Sequence, residues 1–317
     1  FQTEWRDCVL YDAVKVFEKK LNAEADCLRI EEGRDRFTDT ELKTKFLVDH
    51  YIPKNGTYVL LKIDQNFQTG PMMEIHMDTK SGILIGETQL MYPYFRYLDY
   101  NSKLIEMNKP VAKKVVHSNQ IYSFWVKKDS IAEGKLTEEA VDAYYSVLAN
   151  PILKYGKSKK AMELYRKVEA ETGEPDTCII ERIREWVIHW LHNPETLPVD
   201  YSGKDYLKLF FVYDDERKTK ELFEKENRRY LIPNLYNNND YNWNTGKTIL
   251  GPPSNNMGLN AKKPFLENKA RKTAAPYLVS MDEAILQGRF FDYLWGCMTP
   301  AYINNYLENA LSARHSV

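Results

Sequence analysis

The stretch Tyr206-Leu-Lys-Leu-Phe-Phe-Val-Tyr213 is the strongest strand candidate in the chain, because it is aromatic and aliphatic and almost unbroken by polar residues. A second strand is predicted over Thr57–Ile63, directly after the turn signal Asn55-Gly56. Shorter strand pieces are expected at Ile83–Ile85 and Ile121–Val126. Between them, residues 92–100 carry five aromatic side chains in nine positions.

The spacing of apolar residues divides the chain into three regions. Residues 1–130 mix helical and strand patterns and are predicted to form a mixed α+β domain. Residues 131–200 are periodic at helical spacing, with stops at Asn150-Pro151 and Asn193-Pro194, and form a helical block. Residues 201–317 contain the strongest strand, a long functional loop and closing helices. The expected class is α+β, with a mixed N-terminal α/β region, a central helical block and a loop-rich C-terminal part closed by helices.

Several segments have helix spacing and start signals. Thr38 or Asp39 is expected to cap one helix, and Ser280 with Glu283 three residues later is expected to cap another. The predicted helices cover Val9–Lys20, Asp39–Val48, Thr137–Leu148, Ser158–Glu171, Asp176–His192, Asp214–Arg229, Met281–Leu294 and Pro300–Ala313.

Charge and composition limit the classes of function. The 317-residue chain has 44 basic and 45 acidic side chains and a net charge of -1, which argues against a generally basic coat and permits a local basic patch. No apolar run approaches the ~20 residues of a membrane helix, so no membrane partner is expected. The chain begins at Phe1 rather than Met, which suggests a fragment or a processed product.

The four cysteines are scattered without a CxxC pair, so neither a zinc site nor a disulfide framework is expected. Reduced thiols in or near the core of a cytoplasmic protein are the expectation for Cys8, Cys27, Cys178 and Cys297.

The segment Asn234–Lys272 is predicted to be the functional centre. It is far longer than the median loop of ~4–6 residues, and long ordered loops are usually functional. It holds nine asparagines in 27 positions, with Tyr236, Tyr241 and Trp243 among them. Asparagine stabilises turns, so these residues also have a purely structural interpretation.

Five cations follow within eleven residues, against the single acid Glu267. Lysine and arginine neutralise phosphates, asparagine pairs with base edges, and aromatic rings stack on bases. The predicted nucleic-acid-binding residues are therefore Asn237, Asn238, Asn239, Asn242, Asn255, Asn256, Asn260, Lys262, Lys263, Lys269, Arg271 and Lys272.

Other chemistries have weaker signals. Gly246-Lys247-Thr248 resembles the end of a phosphate-binding P-loop, but position 241 is Tyr where that motif needs glycine. A turn at Asn244-Thr245-Gly246 between two short extended pieces is therefore favoured. His189 and His192 have a spacing that can bind metal, yet packing histidines are favoured because no partner ligand is evident. His76 and Asp78 are interpreted as a surface pair. No catalytic residue, metal or cofactor is expected.

Two strings in the segment also resemble a known family. Tyr230-Leu-Ile-Pro-Asn-Leu-Tyr-Asn-Asn-Asn-Asp-Tyr-Asn242 and Asn255-Asn-Met-Gly-Leu-Asn-Ala-Lys-Lys-Pro-Phe-Leu-Glu-Asn-Lys269 are similar to the large subunit of type I-B CRISPR surveillance complexes, called Cascade. Ala161–Val168 and Tyr51–Tyr58 resemble that family as well. Family members are usually longer, with a C-terminal helical bundle that this chain is expected to lack in part or in full.

The resemblance implies a non-catalytic subunit that recognises the PAM of target double-stranded DNA, assists strand opening and contacts the 5′ handle of the guide crRNA. The implied partners are the other Cascade backbone and small subunits and a helicase-nuclease recruited after target binding. Two alternatives stay open from the sequence. One is a metal-dependent nuclease or phosphate-transfer enzyme, and the other is a purely protein-protein scaffold.

Simultaneous replacement of Lys262, Lys263, Arg271 and Lys272 by alanine is expected to weaken binding of a PAM duplex by the assembled complex. The slope of log affinity against log salt should fall by about one for each phosphate that is no longer neutralised. An unchanged affinity and slope would show that these cations do not hold phosphate. Replacement of Asn237–Asn239 or of Asn255–Asn256 should instead change sequence preference, by ~1–3 kcal/mol per base contact.

Overall fold

The strand predicted at Tyr206 lies inside a five-stranded sheet. The computed structural model describes residues 9–32, 38–78, 84–102, 115–236, 239–253 and 278–297. Within these ranges the strands are β1 (Gly56–Lys62), β2 (Gln68–Met77), β3 (Leu84–Ile85), β4 (Ser123–Lys127), β5 (Tyr206–Val212), β6 (Trp243–Asn244) and β7 (Ile249–Leu250). The α-helices there are α1 (Val9–Glu32), α2 (Asp39–Asp49), α3 (Tyr92–Tyr100), α4 (Lys128–Ala132), α5 (Glu138–Ala149), α6 (Ile152–Tyr155), α7 (Lys159–Thr172), α8 (Thr177–His192), α9 (Glu216–Leu231) and α10 (Met281–Cys297).

The strand order is β3-β2-β1-β5-β4, and the predicted α+β class is confirmed. β1 and β5 are parallel, with Gly56 opposite Tyr206, whereas the other neighbouring pairs are antiparallel. β5 has a partner on each side and is buried along nearly its whole length, which explains its continuous apolar run. Both long strands predicted from the sequence are confirmed to within one residue at each end.

Helices cover both faces of β5. Successive strand residues point to opposite faces, and here neighbouring phenylalanines contact different helices. The Phe210 ring lies 6.1 Å from Phe95 of α3, centroid to centroid, and Phe211 lies 5.8 Å from Trp186 of α8. The sheet is therefore the middle layer between α3 and α8.

One hydrophobic cluster joins the three regions predicted from the sequence. Tyr58 from the first region, Tyr144 and Trp190 from the second, and Phe210 from the third all belong to it. β5 of the third region also pairs directly with β1 and β4 of the first. The boundaries near residues 130 and 200 therefore mark changes in secondary-structure content within one packed unit.

A fully buried ion pair lies on the α3 face of the sheet. Lys208 of β5 and Asp99 of α3 both have side chains with 0% exposure, and they form a salt bridge at 2.5 Å. The Lys208 ammonium also donates to the Tyr58 hydroxyl at 2.7 Å, and the Tyr51 hydroxyl donates to Asp99 at 2.8 Å. The Trp125 ring lies 4.1 Å from the Lys208 Nζ. Burial lowers the Lys208 pKa to about 8, although the Asp99 charge opposes that shift.

Side-chain caps start the helices where the sequence predicted them. Thr38 accepts from the Glu41 amide, and the Glu41 carboxylate accepts from the Thr38 amide. Ser280 and Glu283 make the same reciprocal pair at the start of α10. The helix predicted over Pro300–Ala313 lies outside the described residues. No helix in the described ranges combines the length and apolar character that crossing a bilayer requires.

The expectation for the cysteines is wrong at two positions. Cys27 on α1 and Cys178 on α8 are exposed, and Cys297 at the end of α10 is half-buried. Both exposed thiols lie on the solvent sides of amphipathic helices, where a small side chain carries no packing role. Cys8 lies outside the described residues.

Replacement of Asp99 by leucine is expected to lower the free energy of unfolding by about 3–5 kcal/mol, because the Lys208 charge stays buried without its counter-ion. The double variant Lys208→Met/Asp99→Leu should recover most of that loss, since neither charge is then desolvated. Urea unfolding followed by circular dichroism measures both values. Lys62→Met, which breaks the exposed pair with Asp214, is the control and should have a much smaller effect. Additive losses from Asp99→Leu and Lys208→Met would contradict the coupling.

Candidate nucleic-acid interface

Only part of the predicted functional segment lies within the described residues, namely 234–236 and 239–253. Of the predicted binding residues, the structure places Asn239 and Asn242. The others lie outside the described residues: Asn237, Asn238, Asn255, Asn256, Asn260, Lys262, Lys263, Lys269, Arg271 and Lys272.

Buried side chains anchor the start of the segment. The Asn234 amide donates to the Tyr155 hydroxyl at 2.8 Å and to the Tyr230 carbonyl at 2.7 Å. Tyr236 is fully buried, and its hydroxyl donates to the carbonyls of Ile249, at 2.6 Å, and Val279. Tyr236, Ile249 and Val279 belong to a second hydrophobic cluster, which includes Leu164 and Val168 of α7. The segment therefore starts as a packed part of the fold.

The two placed asparagines shape the loop. The Asn242 amide donates to the Asn239 side-chain oxygen at 3.0 Å, and Asn242 is only 5% exposed. The Asn239 amide donates in turn to the Pro233 carbonyl at 3.4 Å. Gly251 lies against both the Tyr236 ring and Asn242, so closely that a Cβ atom there would be 2.4 Å from the ring. At these two positions the structure supports the loop-shaping interpretation, and base reading would require both amides to leave their partners.

A short hairpin made of β6 and β7 projects from this packed base. Gly246 has φ +83°, a left-handed conformation that suits glycine, and its amide donates to the Asn244 side chain at 2.8 Å. Asn244 also bonds Glu163 of α7. The turn predicted at Asn244-Thr245-Gly246 in preference to a P-loop is confirmed, because it joins two short extended strands.

The hairpin exposes an aromatic ring and a cation. Trp243 is 67% exposed, Tyr241 is 39% exposed, and Lys247 lies on the surface of the turn. The Lys160 ammonium donates to the Asp240 carbonyl at 2.7 Å, which holds the neighbouring backbone on α7. Exposed Trp243 is thus presented on a hairpin that hydrogen bonds tie to a helix.

A second polar concavity lies at one end of the five-stranded sheet. β1 and β5 begin there and antiparallel β4 ends there, so residues at or next to the ends of all three strands meet. This sheet-end cleft is open and has a volume of about 690 Å³. It is lined by Lys54, Asn55, His76, Lys127, Lys128, Asp200, Ser202, Lys204, Asp205 and Tyr206.

Lysines dominate the charge of the sheet-end cleft, with four lysines against two aspartates. Lys128 is buried and pairs with Asp205 at 3.2 Å. His117 is half-buried against the Tyr206 ring, next to the cleft. The pKa of His117 is lowered, first by burial and then by the positive charges of Lys127 and Lys54.

Sequence reasoning missed the sheet-end cleft because its lysines are scattered along the chain. The available signal was their place beside predicted strands. Lys54 precedes the Asn55-Gly56 turn, Lys127 ends the β4 strand and Lys204 lies two residues before Tyr206. The predicted surface position of His76 is confirmed, and its ring bonds Asn55 at 3.0 Å.

The packing interpretation of His189 and His192 is wrong. Both side chains are exposed on α8, and the His192 ring lies 3.2 Å from the Glu138 carboxylate. The apolar positions of α8 are instead taken by Ile183, Val187 and Trp190. Among the residues that the structure describes, no group of three or more His, Cys, Asp or Glu side chains is placed to hold a metal ion.

Comparison with known protein families, with curated protein sequences and with solved structures finds no match to this chain.

Replacement of Gly251 by alanine is expected to lower the free energy of unfolding by ~1–3 kcal/mol, because the new methyl group overpacks the Tyr236 ring. Gly70→Ala on β2 is the matched control, since a Cβ there meets Leu60 at an ordinary 3.4 Å. Urea unfolding of both variants is the measurement. Equal stability of the two variants would show that the close contact between Gly251 and Tyr236 does not stabilise the base of the hairpin.

Proposed function

We propose that this chain is a non-catalytic nucleic-acid-binding subunit of a CRISPR Cascade effector. In this role it recognises the PAM of target duplex DNA, assists strand opening and contacts the 5′ handle region of the guide RNA. The observation that carries nucleic-acid contact is the hairpin, which presents Trp243 at 67% exposure and also exposes Lys247 in its turn. The assignment to Cascade rests on the resemblance of the strings 230–242 and 255–269 to the large subunit of that complex.

The hairpin has the two chemical groups that sequence-tolerant nucleic-acid binding uses. An exposed indole offers a flat surface on which a base can stack, and an exposed ammonium on the same hairpin can neutralise a phosphate. The hydrogen bonds of Asn244 and Gly246 hold the turn before any ligand arrives. A pre-ordered platform loses less conformational entropy on binding than a flexible loop does.

Strand opening is supported by the same feature. Proteins that open or kink a duplex insert large side chains between base steps, and this unstacking costs a few kcal/mol per step. Trp243 is the exposed side chain on the hairpin with the area to replace such stacking.

Base recognition is assigned to the asparagines outside the described residues. Since Asn239 and Asn242 bond each other, the residues left for base contacts are Asn237, Asn238, Asn255, Asn256 and Asn260. Phosphate contact is assigned to Lys262, Lys263, Lys269, Arg271 and Lys272, which follow the hairpin in the chain.

Replacement of Trp243 by alanine is expected to weaken binding of single-stranded and forked oligonucleotides by ~1–3 kcal/mol, or roughly 5- to 150-fold, through loss of one base stack. Trp243→Phe should keep most of the affinity, since a phenyl ring also stacks. Fluorescence anisotropy with labelled DNA and RNA on the purified chain measures these values.

Leu90→Ala is the control, because Leu90 is 93% exposed outside the hairpin and has no aromatic surface. Nucleic-acid affinity that is equal for Trp243→Ala and Leu90→Ala would remove the observation on which the proposal rests. If Trp243→Ala instead disrupts only the docking of a protein subunit, the scaffold alternative is correct.

A further inference from the structure

The sheet-end cleft holds positive charge that the described residues do not compensate. Lys54 precedes β1, Lys127 ends β4 and Lys204 precedes β5, so the three ammonium groups come from separate parts of the chain. None of these three lysines has an ion-pair partner among the residues that the structure describes. Like charges brought to one concavity repel each other, and an anion relieves that repulsion.

The two carboxylates in the cleft offset part of this positive charge. Asp205 pairs with buried Lys128 at 3.2 Å. Asp200 accepts from the Ser202 amide at 2.8 Å and from its hydroxyl at 2.7 Å, and these two bonds lower the Asp200 pKa. Asp200 therefore stays ionised, and the cleft, with four lysines against two aspartates, keeps a net positive charge of two.

His76 adds a neutral hydrogen-bond donor to the polar lining of the cleft. The Asn55 side-chain oxygen accepts from the Met77 amide at 2.9 Å, which orients the Asn55 amide nitrogen toward the Nδ1 atom of His76. A histidine that accepts at Nδ1 carries its proton on Nε2 when neutral. His76 thereby offers an N–H donor in addition to the ammonium groups.

The floor of the cleft is rigid because it is part of the sheet. The Tyr206 amide donates to the Asn55 carbonyl at 3.1 Å, and the Lys128 amide donates to the Asp205 carbonyl at 2.9 Å. At Gly56 the two parallel strands approach so closely that a Cβ atom would lie 2.3 Å from the Tyr206 carbonyl oxygen. The lysines are therefore carried by backbone whose separation is set by strand pairing.

We propose that the sheet-end cleft is a phosphate-binding site, separate from the hairpin, in which Lys54, Lys127 and Lys204 hold a phosphate group. The group is carried by a free nucleotide or by the phosphorylated end of a nucleic-acid strand. The cleft is open to solvent, so a phosphate group attached to a larger molecule can reach it. The inference goes beyond the proposed function, since it requires neither the hairpin nor a Cascade partner.

The test is a binding measurement in two arms on the full chain. Isothermal titration with ATP in metal-free buffer tests the free nucleotide, and anisotropy with matched 5′-phosphorylated and 5′-hydroxyl oligonucleotides tests the strand end. The variant Lys54→Ala/Lys127→Ala is expected to weaken binding by about tenfold or more in the arm that binds, because two charge-assisted hydrogen-bond donors to phosphate are removed.

Lys19→Ala/Lys225→Ala is the matched control, since it removes the same charge from exposed helix positions away from the cleft, and its affinity should stay within about twofold of wild type. Trp243→Ala should leave ATP binding unchanged, which separates this site from the hairpin. The proposal is overturned if wild type binds neither ATP nor the phosphorylated strand end, or if the two double-lysine variants behave alike. Circular dichroism melting confirms that all variants fold.

Discussion

The buried pair of Lys208 and Asp99 is the interaction on which the arrangement of the sheet and its covering helix depends. A lysine in the middle of an inner strand is costly, because its charge leaves water completely. The cost is offset only when Asp99, Tyr58 and Trp125 are all in place around the ammonium group. These residues come from α3, β1 and β4, so the satisfied pair requires that helix and those strands in one register.

That register has a consequence at the surface. Because Tyr58, Lys208 and Trp125 are aligned across three strands, the ends of those strands are aligned as well. The Tyr58 hydroxyl accepts from Lys208 and donates to the Lys54 carbonyl at 2.6 Å, which connects the buried pair to the edge of the sheet-end cleft. The strand pairing that places Lys208 next to its partners in the core therefore also brings Lys54, Lys127 and Lys204 together at the surface.

The hairpin and the sheet-end cleft are built by different means. The hairpin depends on side-chain hydrogen bonds and on the close contact of Gly251 with Tyr236. The cleft depends on backbone pairing between strands. The role of each asparagine in the hairpin, and of each lysine in the cleft, depends on the residues around it. Asn242 is buried and holds a turn, whereas residues of the same type elsewhere in the segment are assigned to ligand contact in the proposed function.

The sequence alone determined the elements with local causes. The strand at Tyr206, the capping pairs at Thr38 and Ser280 and the turn at Gly246 were predictable, because apolar periodicity, hydrogen bonds three residues apart and glycine conformations act within a few residues. Their assembly was not predictable. Lys208 appeared as a minor break in an apolar run, and only Asp99, 109 residues away, explains its burial.

The candidate sites divide in the same way. An unusual local composition drew attention to the segment from Asn234 onward, but burial decided that Asn242 shapes the loop and Trp243 faces solvent. The sheet-end cleft had no local signature, since Lys54, Lys127 and Lys204 meet only after parallel and antiparallel pairing places three strand ends together. Short-range physics can be read from neighbouring residues, whereas the chemistry of a surface depends on which distant residues the tertiary fold brings together.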